Sequence, residues 1–222
     1  MTMHELMDTD QLSFEFERKF YISTFPDSVK ENAQTQAIVQ AYLFASEGYA
    51  VRLRLIFPEK EAIFPPFDDN VDYEGAYERK VLAGLMDSVD VDDPAQVRSL
   101  ISVKSPAVTA ERYEFEKDID IDVAFQIIRR SPKIIVKNRY SVWIGEDGWA
   151  FDVFAGQNTG LIVGECERLS PVTNLEIPKF CLTEVSGDLR FTNDTLSRMP
   201  WCTWEDSFKR ELEATGPRFL NL

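Results

Sequence analysis

Charged and aromatic residues alternate along residues 14–20, and this alternation constrains the fold more than any other feature of the chain. Successive side chains of a β-strand point to opposite faces of the sheet. Glu15, Glu17 and Lys19 therefore share one face of a predicted strand, and the opposite face is aromatic. For a single strand, the ordinary interpretation is that the charged face points to solvent. That interpretation weakens when the same pattern recurs.

Further segments repeat the pattern of a charged face opposite an apolar one. An ordinary exposed strand mixes Thr, Ser, Lys and Gln, whereas these segments carry almost only Arg, Lys, Glu and Asp on the polar face. Their apolar faces must be buried against another layer. The segments are residues 51–55, 112–116, 136–140, 149–154 and 163–167.

The pattern predicts an α+β protein built on a closed antiparallel eight-stranded β-barrel, a tunnel with a charged interior flanked by helices. Closure leaves no exposed sheet edge. The apolar faces point outward under the helices, and the charged faces line a hydrated channel. The inward carboxylates are Glu15, Glu17, Glu114, Glu116, Asp152, Glu165 and Glu167, and the inward cations are Lys19, Arg52, Arg54, Lys104, Arg112, Lys137 and Arg139.

Such an interior indicates a particular kind of ligand. Buried charges must be paired with each other or with a ligand. Arg and Lys bind phosphate oxygens, and carboxylates suit Mg²⁺ or Mn²⁺, which often bridge to phosphates. A polyanion carried with a divalent metal matches both sets of side chains.

The motifs resemble, in order along nearly the whole chain, those of the CYTH superfamily, also called triphosphate tunnel metalloenzymes. The first is the E-x-E-x-K strand of Glu15, Glu17 and Lys19. The later motifs are Gln40-x-Tyr42-Leu43, Arg52-x-Arg54, Ser102-Val103-Lys104, Arg112-x-Glu114-x-Glu116, Lys137-x-Arg139-Tyr140, Asp152-x-Phe154, the strand 160–167 ending in Glu165-x-Glu167, and Glu184-Val185-Ser186 followed by Arg190, Phe191 and Asn193.

The resemblance implies an enzyme that uses Mg²⁺ or Mn²⁺ to hydrolyse inorganic triphosphate to diphosphate and phosphate. Lys19, Glu17 and Glu167 are the expected catalytic residues, and all the inward cations, Lys19 included, would hold the triphosphate. The inward carboxylates are the pool of metal ligands, with Glu15, Glu17, Glu165 and Glu167 favoured. Lys19 would contact the terminal phosphate or assist proton transfer, and each charged residue has the alternative of a cross-strand salt bridge.

Other functions stay open at this point. Thiamine triphosphatase and class IV adenylate cyclase share the architecture, and a non-catalytic polyphosphate or nucleotide-binding module would keep the channel without turnover. A substrate that carries a base needs a stacking surface at the channel mouth. Tyr42, Tyr140 and Trp143 are candidates, although packing in the shell is the favoured interpretation of these aromatics.

Composition limits the partners. With 222 residues the chain fits one domain, 1–222, and its net charge of −14 argues against nucleic acid. The three cysteines show no C-x-x-C spacing and the single histidine is His4, so zinc and histidine-based chemistry are not expected. No apolar run is long enough to span a membrane, and the expected location is cytoplasmic. The sequence does not decide whether the protein forms a homodimer.

Helices are predicted between the strands. Pro26 opens one toward Ala37, and an amphipathic helix over about 120–130 turns Val123, Ile127 and Ile128 inward. Residues 58–99 form an insertion, interpreted either as a tolerated surface segment or as a lid or dimerisation element. It contains a helix over about 74–86 on which Glu78, Arg79 and Lys80 form a solvated face. Two C-terminal helices are expected near 193–198 and 204–214.

Overall fold

The computed structural model describes residues 13–68, 70–72, 75–93, 95–105, 112–168 and 170–221, without the side chains of 13–15, 112 and 113. These residues form nine strands and five α-helices. The strands are β1 (Ser13–Ile22), β2 (Gln34–Ser46), β3 (Tyr49–Pro58), β4 (Arg98–Lys104), β5 (Arg112–Asp118), β6 (Ile134–Ile144), β7 (Asp147–Phe154), β8 (Ile162–Arg168) and β9 (Cys181–Glu184). The helices are α1 (Asp27–Lys30), α2 (Ala76–Met86), α3 (Ile121–Ile128), α4 (Asn193–Arg198) and α5 (Glu205–Thr215).

The strands form one antiparallel sheet in the order β5-β4-β3-β2-β6-β7-β8-β1-β9. β1 has β8 along one edge, and its other edge pairs first with β5 and then with β9. The β1–β5 pairing places Ser13 opposite Glu114 and Glu15 opposite Arg112. This contact joins two strands that stand far apart in the sheet order. The prediction of an antiparallel sheet flanked by helices is confirmed; the described residues form nine strands, one more than the predicted barrel has.

The outer face of the sheet is apolar and covered. Leu53, Leu55 and Phe57 pack under α2 and α3 in one buried cluster. Phe20, Trp149 and Phe151 lie in a second cluster, which Val172 and Phe180 help to cover. Cys166 belongs to the second cluster, as its position between two inward carboxylates predicts. The expected direction of the apolar faces is thus confirmed for these strands.

A third cluster fills part of the inner side. Tyr21 and Phe154 follow Lys19 and Asp152 by two positions, and Ile135 precedes Lys137 by two. These three residues therefore share the strand faces of the charged ones. They pack with aromatic residues from the C-terminal part of the chain, including Trp201 and Phe208. Tyr21 lies 5.6 Å from Trp201 and 5.0 Å from Phe208 between ring centroids. The interior therefore has a charged layer next to an apolar layer, where the sequence indicated only a charged one.

Several local predictions are wrong. The helix expected from Pro26 to Ala37 ends at Lys30, because β2 already begins at Gln34 and pairs there with β6. On α3, Val123 is exposed, while Ala124 and Ile128 are buried. Ile128 and the half-buried Ile127 pack on the cluster as predicted, so the prediction is wrong for Val123 alone, in whose place Ala124 is buried.

The segment 58–99 is more than a surface insertion. Its helix α2 contributes Tyr77, Val81, Leu82 and Leu85 to the cluster over β2 and β3. Glu78, predicted on a solvated face, is buried at 6% exposure. The predicted helix itself is confirmed, but it serves as part of the covering layer. Among the described residues, no helix is long and apolar enough to cross a membrane.

Candidate active site

The inward faces of the strands surround a cavity of about 720 Å³. Every residue of the predicted site whose side chain is described lines this cavity, except Asp152. The side chains of Glu15 and Arg112 lie outside the described ones, and Asp152 is fully buried behind the cavity wall. The lining residues from the predicted set are Glu17, Lys19, Arg52, Arg54, Lys104, Glu114, Glu116, Lys137, Arg139, Glu165 and Glu167.

One side of the wall is an ion-pair network on β1, β6, β7 and β8. Lys19 Nζ lies 2.8 Å from Glu165 and 2.9 Å from Glu17. Arg139 bridges Glu165 at 2.8 Å and Asp152 at 2.7 Å. Burial opposes the charge on Lys19, but the two carboxylates outweigh it and raise its pKa. The network therefore keeps Lys19 protonated.

Asp152 holds cations and does not reach the cavity. It accepts from Arg139 Nε and Nη2, both at 2.7 Å, and from Lys137 Nζ at 2.5 Å. Burial alone would raise its pKa, yet Arg139 and Lys137 hold the pKa below the usual range. With both oxygens engaged, Asp152 is placed to orient Arg139 and Lys137, which differs from the metal-ligand role predicted for it.

The opposite side of the wall is a second network on β3, β4 and β5. Arg52 lies 2.9 Å from Glu114 and 3.4 Å from Glu116, and Arg54 and Lys104 pair with Glu116 and Glu114 respectively. Burial works against the charge of Glu114, but Lys104 and Arg52 lower its pKa to about 2. Glu114 is therefore ionised, and both carboxylates form ion pairs with the neighbouring cations.

For three cations in the cavity, the neighbouring carboxylates nevertheless do not offset the cost of burying the charge. Burial and then Arg52 lower the pKa of Lys104 to about 8, although Glu114 lies against it. Burial lowers the pKa of Lys137 to about 8 against the attraction of Asp152. Burial, Arg52 and Arg139 bring the pKa of Arg54 down to about 10. Within the described part of the chain, Arg54 Nε is buried without a hydrogen-bond partner. Burial thus disfavours the charged forms of Lys104, Lys137 and Arg54 more than the neighbouring carboxylates favour them.

Two carboxylates meet across β1 and β8. Glu17 lies directly opposite Glu167, and Lys19 lies opposite Glu165. Like charges directly opposite each other in an antiparallel pair are destabilising unless a cation lies between or beside them. Their oxygens are the donors that Mg²⁺ and Mn²⁺ prefer. Among the described side chains, no group of three or more His, Cys, Asp or Glu converges as a metal site.

The α4 region contributes residues that sequence reasoning left out of the site. Thr192, Asn193, Asp194 and Arg198 line the cavity, and Asn193 Oδ1 accepts from Lys137 Nζ at 3.3 Å. Asp194 Oδ1 is buried without a partner among the described residues. Helix α4 was predicted from the sequence, and Asn193 belongs to the last of the CYTH-like motifs. The face that α4 turns to the cavity depends on packing against β2 and β6, for which the sequence carried no signal.

The three aromatic candidates for the channel mouth occupy different places. Tyr42 is buried in the cavity wall. Tyr140 lies on the outer face, where its hydroxyl donates to Glu61 at 2.7 Å. Trp143 is 75% exposed and borders a second cavity of about 440 Å³. Arg139, Glu165 and Glu167 line both cavities.

Known proteins resemble this chain in sequence and in structure. The inorganic triphosphatase of Acetivibrio thermocellus is 24% identical over 194 residues, which cover 86% of this chain and 98% of that protein. The crystal structure of the inorganic triphosphatase NE1496 overlaps with a TM-score of 0.48 and 23% identity, covering 82% of this chain and 93% of that one. The Hippeastrum protein HpAC1, described as having a dominant triphosphatase activity, overlaps with a TM-score of 0.39 and 11% identity over 72% of this chain and 80% of that one. No family model matches the chain.

Proposed function

Because this chain is a CYTH-like protein and a distant homologue of inorganic triphosphatases, we propose that it hydrolyses inorganic triphosphate to diphosphate and phosphate with Mg²⁺ or Mn²⁺. We also propose that the pairing of β1 with β5 completes an eight-stranded barrel within a single domain. The charged cavity is then the tunnel in which the reaction takes place.

The observation that carries the proposal is that both ion-pair networks turn their cations into one cavity, where burial disfavours the charge of three of them. Lys104, Lys137 and Arg54 all have lowered pKa values, and Arg54 Nε has no partner among the described residues. A buried cation without full compensation is costly, and a phosphate chain would remove that cost. Arg52, Arg139 and the cations just named would hold successive phosphoryl groups, with the Arg side chains offering paired donors.

The donor set at β1 and β8 fits a divalent metal. Glu17 and Glu167 lie opposite each other, and Glu15 stands two positions before Glu17 in the sequence. Mg²⁺ uses few carboxylates and keeps several waters, so this set is sufficient. Glu165, which already binds Lys19 and Arg139, is assigned to holding those cations. When bound, the metal supplies Lewis-acid neutralisation of charge on the phosphate chain.

Lys19 is the proposed contact for the terminal phosphoryl group. Its raised pKa keeps the ammonium charged, which favours stabilising the phosphate oxygens over accepting a proton. We propose that Glu17 and Glu167 also orient a water in line with the bond that breaks. The chain would thus act by positioning and by electrostatic stabilisation, which dominate phosphoryl transfer.

A substrate that carries a heteroaromatic group is the second candidate. The cavity beside Trp143 shares three wall residues with the central one and has room for a ring. Thiamine triphosphate or a nucleoside triphosphate would place its phosphates among the cations and its ring against this indole. A binding module without turnover is the remaining alternative.

One assay separates these functions. The purified protein is incubated with triphosphate, thiamine triphosphate or ATP, each with Mg²⁺, Mn²⁺ or EDTA, while phosphate, diphosphate and cyclic AMP are measured. Metal-dependent release of phosphate and diphosphate from triphosphate in preference to the other substrates is the expected result. Cyclic AMP would identify a cyclase, and tight binding without product would identify a binding module. Arg98→Ala, on an exposed residue outside the cavity, is the control for variants of the cavity arginines.

A further inference from the structure

The backbone of β1 is held in an unusual way at Lys19. β5 pairs with β1 at Ser13–Glu15 and β9 pairs with it at Phe20–Ile22 on the same edge. Between them, the Lys19 carbonyl accepts from Val185 N at 2.8 Å, and the Lys19 N–H donates to Ser186 Oγ at 3.0 Å. A side-chain hydroxyl therefore takes the place of a strand partner at the residue whose ammonium enters the cavity.

Glu184 orients the Ser186 hydroxyl through a hydrogen bond. Its carboxylate accepts from Ser186 Oγ at 2.7 Å and from Arg18 Nε and Nη2 at 2.9 and 2.6 Å. The Arg18 and Glu184 side chains are only 5% and 3% exposed. Arg18 directly precedes Lys19, and its side chain points to the outer face, opposite Glu17 and Lys19. The buried ion pair thus holds β1 from the side that faces away from the cavity.

The C-terminal segment completes this arrangement. Leu220 N donates to Glu184 Oε2 at 2.8 Å, and the Leu220 carbonyl accepts from Arg18 at 3.1 Å. Two residues earlier, the Arg218 carbonyl accepts from Glu184 N at 2.8 Å, and Arg218 N donates to Thr183 Oγ1 at 3.0 Å. Residues 218–220 lie along β9 and supply two of the polar partners of the Arg18–Glu184 pair.

We propose that the C-terminal segment 218–220, acting through Glu184 and Ser186, is a positioning element for the catalytic face of β1. It touches no substrate. It sets the position of the Lys19 backbone and hence of the Lys19 and Glu17 side chains in the cavity. The predicted loss of activity rests on the proposed function, whereas the predicted change in amide hydrogen exchange does not. A displacement of about 1 Å at a reacting group can cost about a hundredfold in rate, so a loosened β1 has a measurable effect.

Two pairs of variants isolate the relevant hydrogen bonds in the full chain. Leu220→Pro removes the N–H that binds Glu184, and Leu220→Ala keeps it while trimming a side chain that is already half exposed. Ser186→Ala removes the hydroxyl that binds Lys19 N–H, and Ser186→Thr keeps it. We expect Leu220→Pro and Ser186→Ala to lower kcat for triphosphate by about tenfold with KM changed less than about threefold, because the remaining cations still hold the substrate. Leu220→Ala and Ser186→Thr should stay within about twofold of the unsubstituted protein.

The split between kcat and KM distinguishes positioning from stability. A purely structural role would lower the melting temperature and the folded fraction while leaving kcat per folded molecule unchanged. Such a result for Leu220→Pro and Ser186→Ala would overturn the proposal. So would a loss of activity in Leu220→Ala and Ser186→Thr equal to that of their partners.

Amide hydrogen exchange measured by NMR tests the same link without activity. We expect exchange of the Lys19 amide to rise about tenfold in Ser186→Ala and Leu220→Pro, relative to Ser186→Thr and Leu220→Ala, because the bond that protects it is lost or loosened. If the unsubstituted protein hydrolyses no triphosphate, the proposed function fails while this exchange experiment still decides the structural link. Unchanged exchange in both variants would overturn the proposal whatever the activity.

Discussion

Replacing Glu78 by Gln should make the protein more stable at neutral and alkaline pH. Glu78 lies on α2 at 6% exposure, against the turn at Gly156. Burial, with the nearby charge of Asp72, raises its pKa to about 7, and Arg79 only partly offsets this. The ionised carboxylate is therefore an unfavourable group in the folded state, whereas Gln has nearly the same shape and no charge.

The pKa shift sets the size and the sign of the effect. A change from 4.5 in the unfolded chain to about 7 in the folded protein corresponds to about 3 kcal/mol. Because the folded pKa is the higher one, the folded state holds the proton more tightly. Stability is therefore fully retained below pH 4.5, falls as the pH rises through 7, and stays reduced above it. Glu78→Gln removes this loss, so the variant gains up to about 3 kcal/mol at pH 8 and little at pH 4.5.

Urea unfolding of both proteins at pH 4.5, 6, 7 and 8 measures the difference in the free energy of unfolding. Glu213→Gln, on an exposed position of α5, is the control for the loss of one negative charge. At pH 8 the gain corresponds to a rise in Tm of about 6–12 °C for a chain of this size. A difference between Glu78→Gln and the unsubstituted protein that does not change with pH would refute the reasoning. So would a gain of equal size in the control.

Three further predictions concern the cavity. Glu17→Gln should abolish metal-dependent turnover while the circular dichroism spectrum stays unchanged, and full activity in this variant would remove Glu17 from the metal site. Arg54→Ala should weaken triphosphate binding by about 10- to 100-fold in calorimetry, since a charge-assisted pair contributes about 1.5–3 kcal/mol; affinity equal to that of Arg98→Ala would contradict the assignment. Triphosphate affinity should fall above pH 8, because Lys104 and Lys137, with pKa values of about 8, lose their charge there and binding must then take up protons. Calorimetry at pH 9 in two buffers of different ionisation enthalpy should detect this uptake, and an affinity that stays constant from pH 7 to pH 9.5 would refute it.

The inward direction of the charges could be predicted because a strand has a period of two. This period and the burial of the apolar neighbours were enough to predict the inward direction of Glu17, Lys19, Arg52 and Arg54. The period does not predict which cation forms an ion pair with which carboxylate. Asp152 follows the same pattern, yet it lies behind the wall because Lys137 and Arg139 close over it.

Charges outside the repeated pattern were the hardest to place. Arg18 is buried because Glu184 reaches it from a point 166 residues further along the chain. Glu78 shares helical periodicity with exposed Lys80, and only the packing of α2 on the sheet decides that one is buried and the other is not. Local sequence determines the face of an element, whereas the depth of a charge depends on contacts distant in sequence.

The two ion-pair networks explain how the fold accommodates so many buried charges. Each network contains both signs, so most cations have a carboxylate within hydrogen-bonding distance. A polyanion bound with a divalent metal would offer the same pairing to both sets, with phosphate oxygens facing the cations and the metal facing the carboxylates. Binding then replaces one set of ion pairs by another. It avoids the desolvation of unpaired ions, which would cost several kcal/mol for each ion. A phosphate chain without metal would satisfy the cations and leave Glu17 opposite Glu167, now beside added negative charge. Under the proposed function, we therefore expect triphosphate and metal to strengthen each other's binding, by the same factor in either order of addition.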